Sequence, residues 1–153
     1  MKIWIGLLLW LVLSMAAGWV GSQFSPGEWY ASLSKPSWNP PGAVFAPVWT
    51  FLYILMGIAA WLVWREKGFA GNRTVLLVFV VQLVLNGLWS YLFFGLHNPL
   101  AAFIEILVLW LLILITLVLF WRVRSLAGVL LIPYLAWVAF ASVLNFTLWR
   151  LNV

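Results

Sequence analysis

Five long apolar runs, separated by polar or proline-rich segments, dominate the pattern of hydrophobic positions along the chain. Each run approaches the roughly 20 residues that a helix needs to cross a bilayer. The apolar positions do not alternate at period two, as they would in the strands of a membrane barrel. The pattern predicts an all-α integral membrane protein, a five-transmembrane-helix bundle in a single domain over residues 1–153. The predicted helices cover about residues 3–20, 47–64, 74–95, 100–121 and 126–149.

The first apolar run has an alternative interpretation. Lys2, an apolar stretch and the small residues Ala16, Ala17 and Gly18 also fit a cleaved signal peptide, whose removal would leave four helices. The stretch is long for a signal peptide and contains several Trp residues, so we favour a membrane span.

A long loop over about residues 21–46 separates the first two predicted helices. Structureless loops of this length are uncommon and often functional. Ser25 as N-cap, Pro26 and Glu28 predict the start of a short helix that runs to about Leu33. The prolines that follow, at 36, 40 and 41, favour a fixed, extended path. We interpret the loop as an ordered lid over one end of the bundle. The alternative is an interfacial anchor with Trp and Tyr at headgroup depth.

Composition excludes whole classes of protein. Hydrophobic residues make up 67% of the chain and charged residues 7%, against about a quarter charged in soluble domains. With no Cys and one His, the chain offers no thiolate or histidine metal cluster. It contains no catalytic triad or phosphate-binding loop. We therefore expect no metal and no obligatory cofactor.

The net charge of +5 reflects membrane orientation rather than a nucleic-acid partner, because the basic residues flank the apolar runs. Five spans place six of the eight Lys and Arg residues on the side of the N-terminus, and the other two, Lys35 and Arg150, on the opposite side. The positive-inside rule then predicts a cytoplasmic N-terminus and an external C-terminus. The six residues are Lys2, Arg65, Lys67, Arg73, Arg122 and Arg124.

Three predicted helices each carry a stripe of aromatic and neutral polar residues at helical spacing. These stripes predict either a pocket for a large, flat, mostly apolar ligand or hydrogen bonds that hold the bundle together. The aromatic lid loop favours a pocket. The stripes are Trp49, Tyr53 and Met56; Gln82, Asn86, Ser90 and Phe93; and Tyr134, Trp137, Ala141 and Asn145.

Glu105 is the one charged residue inside a predicted span. An intramembrane carboxylate suggests a functional site. Its place near a helix N-terminus favours a structural role instead, and His97 and Lys35 are expected at the same membrane face. His97 itself lies in a turn. The small residues at 14, 18 and 22 indicate close helix contact, either within the bundle or between two copies of the chain.

Motifs in sequence order give the chain a specific resemblance. They include the loop block 35–41 (KPSWNPP), the block 47–53 (PVWTFLY), the segment 93–95 (FFG) and the block 133–141 (PYLAWVAFA). With these motifs the chain resembles the translocator protein / tryptophan-rich sensory protein family (TspO/MBR, also called the peripheral-type benzodiazepine receptor family). The absence of an evident mitochondrial targeting segment favours a bacterial member.

The resemblance implies a multi-pass cell-membrane protein, often a homodimer, that binds protoporphyrin IX and drug-like molecules under the first loop. It also implies light- and oxygen-dependent porphyrin degradation in some members, with Trp49 and Trp137 at the matching catalytic positions. Transport of porphyrin or sterol is the alternative function. Sterol binding is doubtful, because Phe146 replaces the Tyr of the family's sterol motif. The residues matching the ligand pocket are Tyr30, Trp38, Trp49, Tyr53, Asn86, Phe93, Trp137, Ala141 and Asn145.

Overall fold

The computed structural model describes residues 1–153, and it contains helices and no strands. Five segments are long and apolar enough to cross a membrane: Lys2–Ser22, Gly42–Gly71, Arg73–Gly95, Pro99–Val123 and Ser125–Leu151. The prediction of an all-α, five-helix membrane protein is thus confirmed. The elements are α1 (Lys2–Ser22), α2 (Gly27–Ser32), α3 (Gly42–Gly71), α4 (Arg73–Ser90), a π turn (Tyr91–Gly95), α5 (Pro99–Val123), α6 (Ser125–Leu130) and α7 (Ile132–Leu151).

Three spans are less regular than their apolar runs suggest. In the second, α3, the backbone leaves the helical conformation at Lys67 and Gly68, and the φ of Gly68 is 66°. The third continues from α4 into a π turn, in which the amide of Leu96 donates to the carbonyl of Tyr91 at 2.8 Å. The fifth is broken at Leu131, with Pro133 in the first turn of α7. Since proline has no N–H and its ring clashes with the preceding turn, a continuous helix through Pro133 would be strained. The break removes that strain.

Small residues let α1 approach α3 closely. A methyl group on Gly57 would lie 2.9 Å from the Cα atom of Leu11, and one on Gly18 would lie 2.6 Å from the Tyr53 ring. Ser14, between these contacts, is fully buried. Ser14 and Gly18 of the small-residue stripe therefore lie in contacts within the bundle, whereas Ser22 is exposed.

The core lies between α3, α4, α5 and the α6–α7 span. Its largest buried side chains include Phe79 and Phe120, whose rings stack at 5.6 Å, and Met56, which is fully buried. α1 lies outside this core and leaves much of its surface exposed, including Leu8 and Trp19. In a membrane, that exposed face of α1 meets lipid.

The contact between α1 and α3 predicts different effects for two Gly→Ala substitutions. In Gly57→Ala, overpacking against the Leu11 backbone costs about 1–3 kcal/mol. This exceeds the helix-propensity gain of at most about 1 kcal/mol. We expect thermal unfolding in detergent to shift to lower temperature.

Gly87→Ala is the matched control, because a methyl group at Gly87 meets its nearest atom at an ordinary 3.6 Å. We expect this variant to unfold at or above the wild-type temperature. Equal unfolding temperatures for the two variants would contradict the close contact of α1 with α3.

Candidate functional site

A chain of hydrogen bonds crosses the bundle between α3, α4 and α7. The Tyr53 hydroxyl donates to the side-chain oxygen of Asn86. The Asn86 amide donates to the Tyr134 hydroxyl at 2.9 Å, and that hydroxyl donates to Gln82 Oε1 at 2.7 Å. All four side chains are buried. We call these four residues, Tyr53, Gln82, Asn86 and Tyr134, the polar floor. Because hydrocarbon offers no water to a polar group, their hydrogen bonds fix the three helices relative to one another.

Aromatic rings lie directly on the polar floor. Trp49 stacks on Tyr53 at 5.6 Å between ring centroids, and its edge meets Tyr134 at 6.3 Å. Trp49 is one turn before Tyr53 on α3, so the helical repeat places both rings on one face. The floor is thus covered by an indole that is only partly buried.

The π turn presents consecutive aromatic residues to the lid. Phe93 is buried beneath α2, where the rings of Trp29 and Tyr30 meet it at 5.5 and 6.4 Å. Tyr30 also meets Phe94 at 5.6 Å. Because a π turn adds a residue to the helical repeat, it rotates the end of this span and brings Phe93 and Phe94 to the same side. Behind them, Trp89 stacks on Phe93 at 5.0 Å.

The lid is tied to both the bundle and itself. The Lys35 ammonium donates to the carbonyls of Tyr30 at 2.8 Å and Leu33 at 3.2 Å, which caps the end of α2. The side chain of Asn152, just past α7, accepts from the Ser34 amide at 2.8 Å and donates to the Ser34 carbonyl at 2.9 Å. The end of the last helix therefore holds the lid in place.

The predicted N-cap of the lid helix is wrong. Ser25 makes no capping hydrogen bond, and α2 begins at Gly27, whose φ is 60°. The left-handed conformation of Gly27 turns the chain after Ser25, so the serine does not reach the free amides of the first turn. Glycine adopts this conformation without steric cost.

The second half of the lid covers α7. Trp38 packs its edge on Phe140 at 5.9 Å, and Phe45, near the start of α3, meets Trp137 at 6.0 Å. The Trp137 indole N–H is buried and has no hydrogen-bond partner. The side-chain oxygen of Asn39 in the lid is buried and unpartnered as well. A donor and an acceptor therefore remain free in the lid and the helix beneath it.

The nine predicted pocket residues fall into three neighbouring groups. Trp49, Tyr53 and Asn86 belong to the polar floor and its cover. Tyr30, Phe93 and Asn145 lie around Trp89, whose indole N–H donates to Asn145 at 2.9 Å. Trp38 and Trp137 both meet Phe140, and Ala141 packs at the edge of the main core.

Rings of the lid and of the bundle contact one another throughout these groups. Two open grooves lie elsewhere, on α1, and none of the nine residues lines either. One measures about 350 Å³ and is lined by residues between Leu11 and Trp19. The other measures about 250 Å³ and lies between α1 and the end of α3. The lid is therefore closed on the candidate site.

Glu105 and the two residues expected near it lie apart. The helix dipole stabilises a carboxylate most in the first turn of a helix. Glu105 is the seventh residue of α5 and therefore lies beyond that turn. Both of its oxygens lack a hydrogen-bond partner. The Lys35 ammonium binds lid carbonyls instead, and the His97 ring stacks on Trp29 at 4.5 Å. Neither Lys35 nor His97 pairs with Glu105.

The site includes aromatic residues that the sequence interpretation did not assign to it. Trp89 precedes Phe93 by one turn, and Phe140 follows Trp137 by three residues, so the same helical spacing would have found both. Trp29 and Phe45 carry no such signal. Their positions depend on how the lid folds back over the bundle.

Comparison with known proteins identifies the family. The sequence profile of the TspO/MBR family matches residues 8–150. The chain belongs to the TspO/MBR family. Relatives include the tryptophan-rich protein TspO of Chlorobaculum tepidum, 47% identical over 95% of each chain. The tryptophan-rich sensory protein of Cereibacter sphaeroides is 39% identical over 97% of this chain and 92% of its own. The human translocator protein is 44% identical over 87% and 82%.

Family membership and the five apolar helices together establish a multi-pass membrane protein of the TspO and translocator type. The family assignment confirms the resemblance carried by the loop and helix motifs. Two of those motif blocks lie where the structure closes the site. The block 35–41 forms the lid segment over α7, and the block 133–141 forms the helix face below it.

The tether between α7 and the lid of this TspO/MBR protein predicts the effect of Asn152→Leu. The substitution removes two hydrogen bonds to Ser34, each contributing about 1 kcal/mol. We expect amide hydrogen exchange over residues 33–41 to accelerate about thirtyfold. Exchange within α4 should not change. Gln23→Leu, which removes only local hydrogen bonds at the end of α1, is the control. Unchanged lid exchange in Asn152→Leu would show that the aromatic contacts alone hold the lid closed.

Proposed function

We propose that this sensor-type membrane protein binds porphyrins such as protoporphyrin IX, and related flat hydrophobic molecules, between the lid and the polar floor. The ligand lies among the rings of Trp38, Trp49 and Trp137, with Tyr30 and Phe93 at the lid side. Aromatic faces supply stacking and apolar area, while a few polar groups orient the ligand. The name of the Cereibacter sphaeroides relative, tryptophan-rich sensory protein, supports a sensory role.

The observation that carries this proposal is the free indole N–H of Trp137. It is buried, it lies beside Phe45 and Phe140, and it has no acceptor within the protein. Leaving a buried donor unpaired costs about 1–3 kcal/mol. A ligand carbonyl or carboxylate supplies the missing acceptor. Porphyrin carboxylates and the carbonyls of drug-like amides both meet this requirement.

Binding requires the lid to open. Trp29 and Tyr30 contact Phe93, and Trp38 contacts Phe140, so a macrocycle reaches the floor only after these edge contacts separate. The lid is suited to this movement, because its polar ties at Ser34 are partly solvent-exposed. The floor, whose hydrogen bonds are buried, keeps its shape.

The role of Trp137 predicts weaker ligand binding in Trp137→Phe. Phenylalanine keeps an aromatic ring and removes the donor, so we expect the Kd for protoporphyrin IX to rise about tenfold. Trp121→Phe, at an exposed position on α5, is the control and should bind as the wild type does. The titration follows porphyrin fluorescence with detergent-purified protein. Equal affinities for both variants would remove the Trp137 N–H from the site.

Porphyrin degradation in light is a second candidate function. The stacking of Trp49 on Tyr53 and the free N–H of Trp137 support this candidate, because both indoles would face a macrocycle bound as proposed. Light excites the porphyrin, which takes one electron from an indole and passes it to oxygen. The indole radical then recovers its electron from the porphyrin, so that the porphyrin is oxidised and oxygen is reduced. Trp49→Phe combined with Trp137→Phe should abolish degradation measured by absorbance in illuminated, aerated samples. Product formation in darkness or without oxygen would contradict the mechanism.

The membrane orientation follows from charge. We propose that the N-terminus is cytoplasmic and that the lid faces the outside, because six of the eight basic residues lie on the N-terminal side. Single cysteines replacing Ser34 in the lid or Ser125 at the start of α6 test this in whole cells. A membrane-impermeant maleimide should label the Ser34→Cys protein only. Labelling of Ser125→Cys alone would reverse the orientation.

A further inference from the structure

An open apolar groove lies between the first half of α1 and the end of α3, at the opposite end of these helices from the lid. It measures about 250 Å³ and has a lining that is almost wholly apolar. Leu9 and Leu13 on α1 and Phe69 beyond Trp64 are all substantially exposed, so the groove opens to the outer surface of the bundle. Its lining residues are Gly6, Leu9, Trp10, Leu13, Trp64 and Phe69. Since it faces the bilayer, the groove has the size and chemistry of an acyl-chain site.

Basic residues lie beside the lining residues in sequence at one end of this groove. Lys2 precedes Gly6 by four residues and Leu9 by seven, so it lies on the same face of α1 as the groove wall. On α3, Arg65 and Lys67 lie between the lining residues Trp64 and Phe69, and the backbone leaves the helical conformation at Lys67. Three cations therefore flank the apolar lining residues at the ends of the two helices that form the groove.

These three cations lack an acidic partner. The chain has three acidic residues, of which Glu28 lies in the lid and Glu105 lies inside a span. The remaining one, Glu66, is adjacent to Arg65 in sequence, but its carboxylate pairs with Arg124 at 3.9 Å. Glu66 is thus directed towards the end of α5. The charge beside the groove remains available to an anion.

Arg65 is also held in place. Its guanidinium lies 4.7 Å from the ring centre of Trp61. The indole N–H of Trp61 donates to the Ile3 carbonyl at 2.8 Å, which joins α3 to the first turn of α1. This places Arg65 near the turn that contains Lys2. The cations of the two helices are therefore neighbours at this end of the groove.

We propose that this groove binds one anionic phospholipid. An acyl chain lies along Leu9, Leu13 and Trp64, and the phosphate is bound by Lys2, Arg65 and Lys67. A zwitterionic lipid carries a cationic choline that these residues repel, so the site selects net negative headgroups. The inference is independent of the proposed porphyrin function and uses none of its residues. It makes the first helix, whose outer face is exposed, a lipid-dependent element.

The test uses native mass spectrometry of the full chain in detergent, with dioleoyl phosphatidylglycerol or dioleoyl phosphatidylcholine added. We expect the wild type to retain the anionic lipid preferentially, as a single adduct. Lys2→Gln with Lys67→Gln should lower the phosphatidylglycerol adduct about fivefold for each cation removed. The phosphatidylcholine adduct should not change. Arg122→Gln, which removes a cation at the same membrane face from the end of α5, should retain the lipid as the wild type does.

A second pair of variants tests the groove itself. Leu9→Trp fills the groove and should lower retention of both lipids, whereas Leu8→Trp adds the same bulk at an equally exposed position outside it. Leu13→Trp repeats the test from the next turn, and helical content by circular dichroism shows that each variant is folded. The inference fails if both lipids are retained equally by the wild type, or if Leu9→Trp and Leu8→Trp behave alike.

A third outcome would assign the groove to a second copy of the chain. If Leu9→Trp converts a wild-type dimer to a monomer and leaves lipid retention unchanged, the groove is a protein interface and the lipid site is overturned. Glycerol phosphate competing fully with the lipid would show that the cations bind phosphate without help from the groove, which also overturns it.

Discussion

The hydrocarbon interior of the bilayer imposes the constraint on which this structure depends, because a polar group there must find its partner within the protein. Tyr53, Asn86, Tyr134 and the side-chain oxygen of Gln82 satisfy this constraint in one line of hydrogen bonds across three helices, whereas the side-chain nitrogen of Gln82 is buried without a partner. Each side chain is positioned by the next, so the floor is rigid and has a fixed arrangement of donors and acceptors. The floor also positions the aromatic residue that covers it, since Trp49 stacks directly on Tyr53.

The lid and the floor use different interactions, and this difference separates what moves from what stays. The floor is buried and hydrogen-bonded, whereas the lid is held by ring edges and by the ties of Asn152 to Ser34. Lid contacts are individually weak, so the lid opens at a lower cost than the helices separate. Because Asn152 directly follows α7, the end of the helix that carries Trp137 also sets the position of the lid.

The outside of the bundle is organised by charge as well as by apolar surface. Glu66 turns towards Arg124, and Arg65 lies on Trp61, so cations beside the α1–α3 groove remain unpaired. Gly6 and Gly18 of α1 lie against α3, whereas large side chains such as Leu8 and Trp19 on the exposed face of α1 meet lipid. The two ends of the bundle thus differ, with the aromatic lid at one and the basic groove at the other.

The sequence by itself determined the five spans, the long aromatic loop and the membership of Tyr53, Asn86 and Tyr134 in inward-facing stripes, because apolar length and helical spacing are local properties. Tertiary structure alone decided which neighbour each stripe meets. It showed that Gly18 and Gly57 lie in the close contact between α1 and α3 and that Ser25 is not a cap. It also showed that Glu105 has neither His97 nor Lys35 as a partner. It further showed the π turn and the break at Leu131, which the apolar runs do not predict. Periodicity reports which side chains share a helix face, but the packing of other helices and of the lid determines what that face contacts.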